Sequence, residues 1–305
     1  MKISNKIIMA AMWLMHYLNP PAKDVDEIFA HAKKHNQKRH FRLPKSRRTD
    51  YKVKKIQTGK GSYPCLRMKR KNSKTDRAVL YICGGGGVYD YCRAQLFLAK
   101  KLLKRVEAEI YYPFYPPSTV CSIRETHAMI FESYRAMLDE YPPERIGVVG
   151  LSFGGTAAMT MISWNNSYKK ALPMPALTIA LSPGHVPANP AEREILERYR
   201  GLDPFVPVEW VEAFGYINKG GEDLEHWLTH TAHGDFTNAG KILLYFAETE
   251  SLAYASSIYE ESLKRAGADY RIHLEPDMPH CYGIARINKA SKKTYDEITA
   301  LLNGL

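Results

Sequence analysis

From about residue 50 onward, short apolar runs alternate with stretches whose apolar positions recur every three to four residues. Residues 51–58 and 64–69 alternate apolar with polar, the period of half-buried antiparallel strands. Residues 78–83 (AVLYIC) and 145–149 (RIGVV) are near-continuous apolar runs, as in strands covered on both faces. Further strands are predicted at 109–112, 176–181, 241–247 and 269–274. Helices are predicted at 93–103, 123–140, 153–164, 251–266 and 291–302. Strand and helix in alternation predict an α/β chain with a mostly parallel sheet and helices on both faces. Between residues 187 and 235 the alternation stops. Two amphipathic helical segments, 191–199 and 208–217, precede a stretch rich in His and Gly. Helices inserted between two core strands predict a cap over the sheet's edge. The chain then divides into an N-terminal segment, 1–50, and a main domain, 51–305, carrying that insertion.

Charge sharpens this division. The net charge is +11, but residues 1–80 hold 21 Lys and Arg against 5 Asp and Glu, and the rest hold 22 against 27. The excess peaks in 33–48 and 69–74. A nucleic-acid or anionic-lipid surface is one reading. No helix-turn-helix, RRM or finger pattern accompanies it, so a solvated segment is the simpler expectation, and no nucleic-acid partner is expected. His31, just before the first of these runs, and His35, within it, read as solvated too. The apolar run 7–15 behind Lys2 and Lys6 resembles a secretory signal, but it leads into Pro20-Pro21 rather than a small-residue cleavage site. A retained helix fits better. Being apolar nearly all round, it needs cover from the rest of the protein, from a second copy in a homo-oligomer, or from a membrane surface. Five scattered cysteines without a CxxC pair point to a reducing compartment, hence the cytoplasm.

Four motifs carry chemistry. Gly150-Leu151-Ser152-Phe153-Gly154 lies between a buried strand and a helix. So tight a turn forces its central residue into strained backbone geometry and presents Ser152 at a helix N-terminus, where the dipole favours developing negative charge. Cys83-Gly84-Gly85-Gly86-Gly87 follows the strand 78–83. Bare glycine amides free to converge on one oxygen are what an oxyanion hole needs. A phosphate loop would end in Gly-Lys-Ser/Thr, which is absent. A serine hydroxyl needs a base. His280, in Met278-Pro279-His280, is the histidine placed after the last strand and downstream of the serine. An acid to orient the imidazole is offered after the strand 241–247 by Glu250, preferred for lying just before the next helix, or by Glu248.

With these residues in place the chain resembles the hormone-sensitive-lipase-like carboxylesterases of the α/β-hydrolase fold, over roughly residues 50–305. The HGGG signature is similar to Cys83-Gly84-Gly85-Gly86, and GDSAGG to Gly150-Leu151-Ser152-Phe153-Gly154-Gly155. The segment around the acid resembles Phe246 to Leu252, and the Met-Pro-His-Gly-Phe ending resembles Met278 to Tyr282. Leu181-Ser182-Pro183 and Gly234-Asp235-Phe236 are similar to landmarks beside the cap. The resemblance implies the α/β-hydrolase fold, Ser152 as nucleophile, His280 as base, Glu250 as acid, and the amides of Gly84, Gly85 and Phe153 as oxyanion donors. A pocket covered by the cap suits short- or medium-chain esters rather than long ones, and a serine mechanism requires no cofactor or metal. Cys83 stands where the family has histidine, Leu151 where it has aspartate, and Phe153 where it has alanine, so its ring enters the substrate pocket. The Tyr-Arg-Leu-Ala-Pro-Glu stretch is replaced by Tyr112-Pro113-Phe114-Tyr115-Pro116-Pro117. Tyr111, Tyr112 and Tyr115 are candidates for the pocket mouth as well as for the core.

Rival readings are a peptidase on the same fold, a catalytically silent binding module, and a lipase acting at a membrane surface through the N-terminal helix. His226, His230 and His233 have the look of a metal cluster, since 226 and 230 would share a helix face. No further ligand at a known spacing accompanies them, so pocket-lining or surface histidines are expected.

Overall fold

The computed structural model describes residues 24–37, 41–91 and 93–305. The helix expected over the run 7–15, and Cys92, lie outside these. Eight strands form one sheet: β1 (Thr49–Gln57), β2 (Ser62–Arg70), β3 (Ala78–Ile82), β4 (Glu109–Pro113), β5 (Ile146–Leu151), β6 (Leu177–Leu181), β7 (Lys241–Ala247) and β8 (Tyr270–Glu275). Their order is β1-β2-β4-β3-β5-β6-β7-β8. β1 and β2 pair antiparallel with each other, and β2 antiparallel with β4; the rest pair parallel. Every residue of β3, β4, β5 and β6 is buried, as strands covered on both faces must be, Glu109 and Thr178 included. Tyr111, Tyr112 and Tyr115 are core residues. The buried Glu109 of β4 is matched by Arg67, which donates from Nε (2.9 Å) and Nη2 (2.8 Å), and by the Tyr141 hydroxyl at 2.6 Å. A buried carboxylate left unpaired would be costly.

The sheet is covered by α2 (Arg93–Leu103), α3 (Ile123–Leu138), α4 (Phe153–Ser167), α8 (Ser256–Arg265) and α9 (Lys289–Asn303). The cap holds α5 (Pro190–Glu197), α6 (Val208–Lys219) and the single turn α7 (His226–Thr229). α5 starts where Asn189 accepts the Glu192 N–H and Pro190 takes the first position; α6 stops at Gly220, in the left-handed region at φ 57°. One helix departs from its expected form. In place of a continuous α-helix from 251, Ser251–Ala255 is a 3₁₀ turn and α8 begins at Ser256. Cap groups engage its first residue: Ser251 N–H donates to Asp203 Oδ2 (2.9 Å) and its hydroxyl to Val206 O (2.7 Å).

The helix α1 (Val25–Gln37) was not expected. Its Ile28 and Ala32 pack with Ala213 and Ile217 of α6 and with Val88. Its buried Asn36 donates to Val88 O (2.9 Å) and Thr119 Oγ1 (2.8 Å) and accepts from Asp90 N–H (2.8 Å). The N-terminal segment thus braces both the cap and the far end of the glycine loop. His31 and His35 correct their solvated reading in part. His31 Nδ1 lies 3.1 Å from the Tyr89 hydroxyl, and the His35 ring meets Tyr89 edge-on at 5.6 Å. Lys33, Lys34, Arg42, Lys45, Arg47 and Arg48 are exposed, as a solvated run should be.

Candidate active site

Ser152 joins β5 to α4 at φ 53°, ψ −123°, a conformation that a side chain rarely adopts. The turn closes because its neighbours have no side chains. A Cβ on Gly150 would lie 2.1 Å from Gly154 O, and one on Gly154 would lie 2.1 Å from Ile82 O. The Ser152 amide donates to Leu181 O at 2.8 Å, which ties the turn to the end of β6.

The glycine loop crosses directly beside it: a Cβ on Gly84 would sit 2.9 Å from Ser152 Cβ. One of the expected donors is already engaged. The Gly84 N–H is not free, because it donates to the Gln95 side chain at 2.5 Å. In the loop and the serine turn, the amides of Gly85, Gly86, Gly87 and Phe153 make no hydrogen bond with any described residue. Gly85 at φ 130° and Gly86 at φ 65° turn the loop back at this point, and Gly86 lines the same cavity as Ser152. Gly86 was not among the expected donors, because a run of four glycines does not reveal which amide its neighbours will occupy. The loop's carbonyls are also held, with the Tyr115 hydroxyl donating to Cys83 O at 2.8 Å.

Glu250 follows β7 and is 2% exposed. Its Oε1 accepts the Ala247 N–H (2.9 Å), and its Oε2 lies 2.6 Å from His280 Nδ1. Glu248 is exposed and points elsewhere. His280 stands in the loop after β8. The next residue, Cys281, donates its N–H to Ser182 Oγ (3.0 Å), and its thiol meets Leu181 O. The serine turn and the histidine loop are therefore anchored on the same strand end, Leu181-Ser182. No hydrogen bond joins the Ser152 hydroxyl to His280 in this structure. Burial pushes the imidazolium down, but the adjoining Cys281 and Glu250 side chains outweigh it and hold His280 well above the ordinary histidine value.

A second carboxylate, absent from the sequence-based candidates, comes from the cap. Asp203 is 5% exposed and accepts from Phe205 N–H (2.7 Å) and Ser251 N–H (2.9 Å). Burial raises its pKa, and His280 pulls against that rise. By gripping Ser251 it fixes the residue next to Glu250.

Beside Ser152, between sheet and cap, lies a cavity of about 110 Å³. Its walls include Ile123, Val206, Val211, Leu224 and Leu228, with the Phe153 ring at the serine end. Phe153 does enter the pocket, as its size foretold.

A family model for the alpha/beta hydrolase fold matches residues 79–284. The chain belongs to the α/β-hydrolase fold family. No curated protein sequence matches it. Among solved structures this α/β-hydrolase is similar to the HSL homologue EstE7 from a metagenome library, at a TM-score of 0.78 and 19% identity, over 100% of this chain and 99% of that one. It is equally similar to a hormone-sensitive lipase from a metagenome library (0.79, 19%, 99% and 98%) and to a mutant of the esterase E40 (0.79, 19%, 100% and 99%). At such identities the likeness speaks for the fold.

The histidines of the cap form a separate cluster in this hydrolase. The His226 ring lies 4.7 Å from His230 and 5.5 Å from His233. Glu192 joins His233 Nε2 (2.8 Å) to His185 Nε2 (3.0 Å), and the ligand-type atoms of these three lie within 4.8 Å of one another. The donor set is one a transition metal accepts. However, Ala232 N–H donates to His185 Nδ1 (3.1 Å), which places the ring proton on Nε2, facing Glu192. A metal ligand needs a lone pair there. The cluster is a hydrogen-bonded knot that holds α5 to the turn Thr231–His233. Burial raises the Glu192 pKa, but the hydrogen bonds from His185, Ala188 and His233 outweigh it and keep the carboxyl below its usual range.

Proposed function

We propose that this α/β-hydrolase is a serine esterase acting through an acyl-enzyme. The observation that carries the reading is the Glu250–His280 hydrogen bond, anchored on the same strand end as the strained Ser152, with Gly86 of the glycine loop lining the same cavity. The structural relatives described above as lipase and esterases favour it as well.

In the first step, Ser152 Oγ bonds to the ester carbonyl carbon while its proton passes to His280 Nε2. Glu250 keeps the other ring proton on Nδ1 and steadies the imidazolium. The carbonyl oxygen becomes an oxyanion held by the Gly85, Gly86 and Phe153 amides, each worth roughly 3 kcal/mol in the transition state. As the carbonyl re-forms, the bond to the alcohol oxygen breaks and His280 returns its proton to that oxygen. Water then attacks the acyl-enzyme with His280 as base, releasing the acid and restoring Ser152. The side chains named supply every proton transfer. A cavity of about 110 Å³ suits short or medium chains.

The decisive experiment pairs hydrolysis of p-nitrophenyl acetate and butyrate with fluorophosphonate labelling, for wild type and Ser152→Ala. Turnover and labelling in the wild type, both lost in the variant, are expected. Equal rates in the two proteins would refute the nucleophile; no labelling would favour a silent binding module. Amide turnover above ester turnover would favour the peptidase. Cys65, Cys83, Cys121 and Cys281 are free thiols, in keeping with our reading of a reducing, cytoplasmic setting. Among the described residues no helix is long and apolar enough to cross a membrane.

A further inference from the structure

One buried polar side chain facing the cavity is left unused by the esterase reading. His127, on α3, is 4% exposed and lines the same cavity as Ser152. Its ring is wedged between Phe153, at 5.5 Å, and Trp164, stacked at 6.5 Å. It makes no hydrogen bond with any described residue. His185, the other fully enclosed histidine of this pocket wall, is bonded through both ring nitrogens. Burial alone drives the His127 imidazole down to about 3, with no neighbouring charge or hydrogen bond acting on it. At neutral pH it is therefore an uncharged ring, one nitrogen a donor and the other an acceptor, set in an apolar wall.

Buried polar groups are rarely left without a partner, because the unmade hydrogen bond is costly. Phe or Leu would fill the space between Phe153 and Trp164 without that cost. The ring nitrogens of His127 are open to the cavity, so their partner comes from what enters it, water or substrate. Beside this ring a charged group does not fit, since the ring is neutral and no charged group acts on it, although Lys219 lines the same cavity. A hydroxyl does: it both donates and accepts, so it pairs with whichever ring nitrogen the tautomer presents.

We propose that His127 is a specificity-determining residue that selects esters carrying a hydroxyl group on the half seated in this cavity. The proposal rests on the esterase reading and deepens it. A site built to hydrogen-bond a substrate group discriminates strongly against the analogue lacking it, whereas an all-apolar pocket would not.

The test compares matched pairs. One pair is p-nitrophenyl butyrate and p-nitrophenyl 3-hydroxybutyrate; a second pair carries the hydroxyl in the alcohol half. The expected result is a kcat/KM at least tenfold higher for the hydroxylated member of one pair. That preference should fall below twofold in His127→Phe, which keeps the aromatic packing, whatever the absolute rate on the plain ester; a melting curve confirms that the variant folds. No preference in either wild-type pair, or a preference that survives His127→Phe, would overturn the proposal. Binding of the corresponding unreactive amides to Ser152→Ala, measured by calorimetry, reads recognition without chemistry. Tighter binding of the hydroxylated amide with no turnover of any ester by the wild type would count against the esterase and leave the His127 role standing. Equal binding would sink the role of His127 alone.

Discussion

Replacing Glu250 by Gln tests the central geometry most directly. The two carboxylate oxygens have different tasks: Oε1 accepts the Ala247 N–H and Oε2 faces His280 Nδ1. Gln has one acceptor oxygen. If that oxygen stays with Ala247, the amide NH₂ faces His280 and forces the ring proton onto Nε2, the nitrogen that must receive the serine proton. A fall in kcat of about 10⁴-fold is expected, the scale seen when a triad imidazole is held in the wrong tautomer. Glu250→Ala imposes no tautomer and should retain more activity than Gln. The charge matters separately. A hydrogen bond to an ionised group is worth roughly 1.5–3 kcal/mol, which is about one to two pKa units. His280 must be neutral to act, so wild-type activity should fall as pH drops through its raised value. In Glu250→Gln the residual acid limb should move one to two units lower. Stability follows the same sign. A histidine raised above its unfolded value, about 6.5, contributes fully below that pH, and the contribution fades as pH rises through the folded value. The assay is p-nitrophenyl butyrate hydrolysis from pH 5 to 9, with melting curves to confirm folding. A Gln variant within tenfold of wild type, or an unmoved acid limb, would refute the reasoning.

Other expectations follow from single contacts. Gly150→Ala puts a methyl 2.1 Å from Gly154 O, so a loss of about 3 kcal/mol or more, read by denaturant titration, is expected. Asp203→Asn leaves one of its two amide partners unpaired; a loss of about 1–3 kcal/mol and a small downward shift of the acid limb should appear in melts and pH profiles. Asn36→Ala severs three hydrogen bonds that hold residues 88, 90 and 119. It should lower stability by about 2–4 kcal/mol and reduce kcat, although it lies outside the pocket; an unchanged melting curve would contradict the bracing role.

The core strands were readable from the chain because burial on both faces favours continuous apolar runs, and β3 and β5 have them. Ser152, Glu250 and His280 were readable for a different reason: each sits at a strand end whose position the pattern had already located. What escaped depends on neighbours remote in the chain. That Gly84 is occupied and Gly86 is open follows from where Gln95 comes to rest. Asp203 acquires meaning only when the cap folds down onto Ser251. α1 carries few apolar positions, Ile28 and Ala32 chief among them, and is held by contacts with α6 and Val88 rather than by a pattern of its own.

The same short helix carries a mechanical consequence. α1 grips α6 on one side and, through Asn36, the Val88–Asp90 end of the glycine loop on the other. Cap and glycine loop thus share one fastening, so on the proposed mechanism a substitution that loosens either end of this helix should be felt at the other.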